Sequence, residues 1–397
     1  MELIKIKGQV ILKRGRESSV LRRHPWVFSG AIQKTEGSVC EGCWVSVADS
    51  SGKVIGFGHY QEGSIAVRIL SFGDRSPDEG FYSQKLTSAI SLRRLTHIEN
   101  DQTNCYRLVH GEGDGLPGLI IDYYDGVCVM QAHSTGIHGD RLQILEALRK
   151  VYQENLRSVY YQDQHGGQDT KKGYLFGGDT VPHAVRENGN RFLVDWEGGQ
   201  KTGFFLDQRD NRKLLAEYAK GRSVLNMFCY TGGFSVYALQ AGAVLVNSVD
   251  ASGKAIEMTR KNIELNGFSP DKHACFAEDT FDFFQRSRLN GALPYDIIVL
   301  DPPAFAKHRD ARHQAMKGYQ RLNAEAMRLI KSGGLIFTFS CSQVVDRQLF
   351  YDTMVSAAVQ TGRAIRVLNH LSQPADHPVS IYHPEGEYLK GLVLHVE

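Results

Sequence analysis

A chain of 397 residues with 42% hydrophobic and 23% charged residues has ordinary globular composition and enough length for two or three domains. Its aliphatic stretches, such as Ile297–Leu300, fall far short of the ~20 apolar residues that span a bilayer, and its alternating start, MELIKIKGQV, lacks the apolar core of a secretory signal. The sequence therefore predicts a soluble, cytoplasmic protein with no membrane partner; seven cysteines, an odd number, argue against a disulfide framework.

The net charge of +2 is unevenly spread. Residues 1–35 hold eight Lys/Arg and two acids, which makes +6 and leaves −4 for the remaining 362 residues. A basic front on a near-neutral body suits phosphate contact, and suits a solvated basic face equally well. Residues 1–72 read as short strands (KIKGQVILK, WVSVADS, VIGFGHY, IAVRIL) with Gly and Ser turns, a small barrel or sandwich. Between the first two strands, RGRESSVLRRHPWVFSGAI interleaves Arg14, Arg16, Arg22 and Arg23 with Trp26 and Phe28. That mixture contacts nucleic-acid backbone and unstacked bases, although a hydrophobic edge capped by arginines has the same composition. Cys40 and Cys43 form a CxxC pair with no second pair to complete four zinc ligands, so they read as small residues near a turn and no metal is predicted.

Residues 73–190 form an α+β block. Helical periodicity runs from Glu79 to Ile98, a Gly-rich turn follows, two apolar strands flank Asp125-Gly126, and another helix covers about 140–155. From about 191 to 397 strands and helices alternate: VLNMF, VNSVD, ACFAE, YDIIVLD and GGLIFTFS each precede a helix. Alternation of this kind implies a parallel sheet with crossover helices, and strands as apolar as IIVL need both faces covered. The predicted class is α/β, a Rossmann-like domain preceded by a small β-rich domain and a central α+β domain.

In such a sheet ligands sit beyond the carboxyl ends of the strands. The first strand ends in Asn226-Met227-Phe228-Cys229-Tyr230-Thr231-Gly232-Gly233, a turn that is not GxGxxG. The second ends in Asp250, 24 residues after Asn226, where a carboxylate can accept from a ribose diol. The third is followed by Glu278-Asp279, suited to an adenine edge, and the fourth by Asp301-Pro302-Pro303, a rigid loop with an acid at its entrance. Each acid alone is an ordinary loop residue; four suitable residues at four successive strand ends, Asn226 the first, point to an adenosine-type ligand. No phosphate loop is present, so S-adenosylmethionine (SAM), which carries adenine and ribose without phosphate, fits best.

The fifth strand, GGLIFTFSCS, ends at Cys341 between Ser340 and Ser342, on the same sheet edge as Asp301. A lone cysteine is most often inert core. Beside a methyl donor, however, a thiolate can add to C6 of a pyrimidine and make C5 nucleophilic, which is covalent catalysis. Asp301 could then hydrogen-bond the N3/N4 edge of cytosine. The base would have to be flipped out or single-stranded.

With these residues in hand, the chain resembles, over essentially its whole length, the bacterial rRNA large-subunit methyltransferase I family, which makes 5-methylcytosine in 23S rRNA. The segments that carry the likeness are KRGRESSVLRRHPWVFSGAI, EGDGLPGLIIDYYD, GQKTGFFLDQRDNR, LNMFCYTGGFS, LDPPAF, FSCS and ADHPV…YHPEGEYLKG. The resemblance implies an N-terminal PUA domain, a central domain and a class I SAM-dependent methyltransferase domain. It implies that Cys341 is the nucleophile and that the loop 200–212 closes over the cofactor, with Lys201, Thr202, Phe205, Gln208 and Arg209 near it. The SAM set is then these five with Asn226, Phe228, Tyr230, Thr231, Gly232, Asp250, Asp279 and Asp301; the implied partner is 23S rRNA, naked or in an assembling large subunit, with oligomeric state open to a homodimer. Two departures stand out: Phe228 and Tyr230 occupy positions where methyltransferases at large carry glycine, and Pro303 stands where related 5-methylcytosine enzymes often carry a second cysteine. Other readings are methylation of guanine N7 or adenine N6, for which Cys341→Ser would leave activity largely intact, and a non-catalytic RNA-binding factor, which would not bind SAM.

Overall fold

The computed structural model describes residues 3–165, 171–290, 294–306 and 308–397. The chain divides into two compact units: Met1–His183 with Trp196–Thr202 and Ala375–Gly386, and Ala184–Asp195 with Gly203–Pro374 and Glu387–Glu397.

The first unit holds two sheets. One has six strands, in the order Trp26–Phe28, Ile65–Phe72, Val54–Tyr60, Trp44–Ala48, Gly8–Leu12 and Ile32–Gly37. Its core is mostly β-branched, with Val10, Val27, Val45, Val47, Val67 and Ile69 buried, as strand formers on an inward face should be. The other has five strands, Lys172–Phe176, Ser158–Asp163, Val127–Ala132, Leu119–Tyr124 and Cys105–His110. Asp125 and Gly126 both take positive φ, 46° and 89°, the pattern of a tight two-residue hairpin. Helices Phe81–Leu95 and Arg141–Tyr152 pack together, close to the periodicity read from sequence.

The excursion Ala375–Gly386 is tied into this unit by buried charge. Arg93 donates to the Asp114 carboxylate (2.8 Å) and to the Asp376 carbonyl (2.7 Å), while the Asp376 carboxylate accepts from the Arg107 amide (3.0 Å). Gly113 permits the contact: a Cβ there would lie 1.9 Å from the Pro378 carbonyl oxygen.

The second unit is built on a seven-stranded sheet. Its strands are β1 (Ser223–Met227), β2 (Leu245–Asp250), β3 (His273–Ala277), β4 (Tyr295–Leu300), β5 (Ile330–Ser340), β6 (Ile365–Ser372) and β7 (Lys390–Val396), in the order β3-β2-β1-β4-β5-β7-β6. The first five pair in parallel; β7 runs antiparallel between β5 and β6. The helices are α1 (Arg209–Ala219), α2 (Gly233–Gln240), α3 (Gly253–Leu265), α4 (Thr280–Leu289), α5 (Arg312–Leu329) and α6 (Arg347–Thr361). Side chains of Ser252, Asp279 and Asp346 cap α3, α4 and α6 by accepting the first free amides. Ile297–Leu300 are fully buried, as strands covered on both faces require. The order reverses between β1 and β4, so the site-bearing edge lies where their carboxyl ends diverge.

One buried ion cluster braces this edge. Glu187, fully buried, receives two bonds from Arg212 (2.9 and 2.8 Å) and one from the Tyr237 hydroxyl (2.9 Å), with Arg209 Nε at 3.4 Å. Burial opposes the Arg212 charge, but the Glu187 carboxylate outweighs it and holds the guanidinium above its ordinary pKa. Glu187→Gln leaves two buried arginines short of their counter-charge. We expect it to destabilise the second unit by about 3–5 kcal/mol, read as a lower urea midpoint for that unit's transition; an unshifted midpoint would refute the bracing role.

Candidate active site

β1 opens into a turn with three left-handed residues in five: Phe228 (φ 56°), Tyr230 (φ 49°) and Gly232 (φ 79°). Bulky side chains therefore follow a backbone path usually given to glycine, at an expected cost of order 1–3 kcal/mol each. Hydrogen bonds hold the path. The Cys229 amide donates to Val249 O (3.0 Å), the Tyr230 amide to Asp250 Oδ2 (2.9 Å) and the Gly232 amide to Cys229 O (2.8 Å). The Tyr230 carbonyl accepts from Thr259 (2.9 Å) and the Thr231 carbonyl from Asn262 (2.8 Å). A Cβ on Gly232 would meet Thr259 Cγ2 at 2.7 Å, so only glycine fits against α3.

Around this turn the second unit gathers much of the predicted cofactor set. Asn226 is fully buried; its amide donates to Ser235 Oγ (2.9 Å), while its Oδ1 has no hydrogen-bond partner among the described residues. An orphan acceptor beneath a strand tip awaits a donor. Asp250, partly exposed, anchors both oxygens on amides, Tyr230 and Ser252 (2.9 Å each), and keeps outer lone pairs for a diol. Asp279 caps α4 through the Phe281 amide (2.8 Å). Phe205 sits edge-on to Tyr230, ring centroids 5.0 Å apart, and the Tyr230 hydroxyl donates to Gly203 O (3.2 Å). Gln208 and Arg209 are buried, the former accepting from Asn211 (2.6 Å). Lys201 and Thr202 fall in the first unit, where Lys201 is exposed and Thr202 donates to Asp122 (2.6 Å). An orphan acceptor, an anchored carboxylate and a glycine-tight turn form an acceptor-rich set that suits the hydroxyls and amine of SAM.

On the other side of β1, Leu300 of β4 pairs with Thr338 of β5, so Asp301 and Cys341 both follow neighbouring strand ends. Both are partly exposed. Tyr319, buried beside them, is pushed up to about 12, first by burial and further by Cys341 and Asp301, against the Ser340 hydrogen bond. It accepts from Ser340 Oγ at 3.0 Å and packs on Phe305, centroids 4.6 Å apart.

Lys390 was missed by the sequence reading. It starts β7, opposite Ser340, and is buried. Its ammonium donates to Ser342 O (2.6 Å), in the turn after Cys341, and to Tyr388 O (2.8 Å), two residues before its own strand. Burial pulls Lys390 down to about 8, and the Cys341 charge pulls it back up. The available signal was a lysine leading the apolar run GLVLHV. Among the other cysteines, Cys128 and Cys229 are buried and their thiols are pushed up by that burial.

At the front, Arg14, Arg16, Arg22 and Arg23 are all exposed. Trp26 is half-buried and donates its indole N–H to Glu112 (2.8 Å); Phe28 is the exposed ring. Arg16 and Phe28 border a surface hollow of about 340 Å³.

Residues 107–388 match the S-adenosylmethionine-dependent methyltransferase family and residues 10–72 a PUA-like domain. Ribosomal RNA large subunit methyltransferase I of Alteromonas mediterranea is 39% identical over 98% of this chain and 99% of its own length, and that of Tolumonas auensis is 40% identical over 97% and 98%. The chain belongs to the ribosomal RNA large subunit methyltransferase I family. As a member it is a SAM-dependent methyltransferase with a PUA-like front. Among solved structures, a Streptococcus mutans protein provisionally assigned as a SAM-dependent methyltransferase aligns over 99% of this chain and 100% of its own, with a TM-score of 0.84 at 23% identity. A provisionally assigned methyltransferase solved with SAH gives 0.85 at 24%, over 99% and 100%. Both likenesses bear on the fold alone.

For this family member the strained turn makes a direct prediction. Asp250→Ala removes the acceptor of the Tyr230 amide and the carboxylate facing solvent. SAM affinity by calorimetry should fall by at least about tenfold, the loss of one charge-assisted bond of ~1.5–3 kcal/mol; unchanged affinity would place the donor elsewhere.

Proposed function

We propose that the chain methylates carbon 5 of a cytosine in large-subunit ribosomal RNA, through a covalent bond between Cys341 and C6. The observation that carries this reading is the partly exposed Cys341 thiol at a strand tip, with the Lys390 ammonium beside it and Asp301 at the neighbouring tip. An ammonium beside a thiol favours the thiolate, the form that attacks.

The thiolate adds to C6, forming a C–S bond and pushing electron density onto C5. Carbon 5 then attacks the methyl carbon of SAM, whose sulfonium supplies an activated methyl group and departs as neutral S-adenosylhomocysteine. A base removes the C5 proton, and the electron pair left behind expels the thiolate, which restores Cys341. Asp301 faces the same edge and can hold the N3/N4 side of the ring. Lys390, tied to the backbone on both sides of its approach, keeps positive charge beside the sulfur. The target must leave its stack to reach the thiol. The exposed arginines and Phe28 of the front domain suit phosphate contact and base stacking on 23S rRNA, naked or in an assembling subunit, a cytoplasmic substrate.

Nitrogen methylation needs no thiol, and that difference provides the test. Wild type and Cys341→Ala are compared on unmodified large-subunit RNA with SAM, and the product nucleoside is identified by mass spectrometry. We expect 5-methylcytidine from the wild type and none from the variant; full activity of Cys341→Ala, or a methylated purine, would sink the mechanism. Lys390→Met gives a separate expectation. Losing the cation disfavours the thiolate, so the pH at which Cys341 reacts half-maximally with iodoacetamide should rise; an unmoved profile would leave Lys390 a packing residue only.

A further inference from the structure

A cluster in the first unit stands apart from the chemistry above. His24 precedes the strand Trp26–Phe28, while His383 and Glu385 lie on the excursion Ala375–Gly386. One ligand-capable atom from each lies within 4.8 Å of the other two. His24 Nε2 is 3.8 Å from Glu385 Oε1, and His383 Nε2 is 3.8 Å from Glu385 Oε2. We propose that His24, His383 and Glu385 form a binding site for one borderline divalent cation of the zinc class.

The separate observation that points to a ligand is His383. Its side chain is 4% exposed, yet neither ring nitrogen has a hydrogen-bond partner among the described residues. A buried polar ring normally finds one. An imidazole nitrogen without a partner can offer its lone pair to a metal. His24 is held in place by Trp26, whose amide donates to His24 Nδ1 (3.2 Å), and this leaves Nε2 as the ring nitrogen turned toward Glu385.

The donor set selects the cation. Two imidazoles and one carboxylate suit zinc, nickel or cobalt rather than calcium or magnesium, which prefer oxygen shells. A tetrahedral shell with bonds of ~2.0–2.1 Å separates its ligand atoms by about 3.3 Å, so three atoms that lie within 4.8 Å of one another need only close further to complete three positions. Glu385, 54% exposed at its side chain, leaves a path for entry and for water as the fourth ligand. Trp26 and His383 pack edge to face at 4.4 Å, and Glu112, held by the indole, adds negative charge nearby. Residues 24 and 383 are remote in sequence, which is why spacing alone gave no ligand set. A bound cation would clip the excursion to the PUA-like sheet of its own unit.

The test uses the tag-free full-length chain, stripped with chelator and titrated with cobalt(II). We expect one equivalent to bind with visible absorption of a nitrogen/oxygen shell, displaced by zinc(II). His383→Ala should abolish the band. Because that site is buried, the exposed substitution Glu385→Gln is made in parallel, with folding checked by circular dichroism; affinity should drop by at least the roughly 10–100-fold that loss of a supporting group costs. Absence of a stoichiometric band, a thiolate charge-transfer band, or a folded Glu385→Gln chain that binds like wild type would overturn the site. So would a band lost only in His138→Ala, which assigns the metal to the separate His138, Asp163 and His165 group.

Discussion

Glu187 is the fixed point of the catalytic unit. A fully buried carboxylate is tolerated only when its charge and lone pairs are answered, and here Arg212 and Tyr237 answer with hydrogen bonds while Arg209 adds a second positive charge. These partners come from the start of α1 and from α2, so one acid locks the hairpin His183–Glu187 and Asn190–Val194 to both helices. Arg212 also donates to the Phe205 carbonyl (2.9 Å) and lies 3.0 Å from where a Cβ on Gly233 would be. The loop bearing Phe205 and the first residue of α2 are thereby set by the same guanidinium.

That bracing explains how the strand-end turn survives its strain. Left-handed φ at Phe228 and Tyr230 persists only where surrounding contacts over-determine it. The amide of Tyr230 is held by Asp250, its carbonyl by Thr259, and its ring by Phe205 and Gly203. Glycine would reach the same backbone shape without cost but would bring no ring. Here the rings line the turn, and the flexible element of the common motif is replaced by packing.

Much of this was legible in the sequence, and the limits have physical causes. The crossover strands announced themselves through continuous apolar runs, and their carboxyl ends pointed to Asn226, Asp250, Asp279, Asp301 and Cys341. Strands β6 and β7 went unread because β6 alternates with one exposed face and β7 begins with a charge, so neither looks like a covered parallel strand. Lys390 escaped for the same reason: a charge at the head of an apolar run reads as a boundary. Glu187 and Arg212 lie 25 residues apart on different elements, and nothing local marks either as buried. The loop 200–212 became visible only through family likeness, since its residues act through tertiary contact. His24 and His383 meet only after the excursion Ala375–Gly386 joins the first unit, a step no periodicity encodes.

The antiparallel entry of β7 ties the tail to the chemistry. Its register pairs Ser340 with Lys390 and Phe339 with Gly391. Gly391 is obligatory there, because a Cβ would meet Phe339 Cδ1 at 2.6 Å. With a two-residue side-chain period, slipping the strand by one residue would turn Lys390 to the opposite face of the sheet and bring a bulky neighbour against Phe339. Steric exclusion at Gly391 therefore fixes the register, and the register delivers the ammonium to the turn that carries Cys341. The last strand of the chain, added at the edge-proximal side of β5, thus sets the electrostatics of a thiol that the first five strands only position.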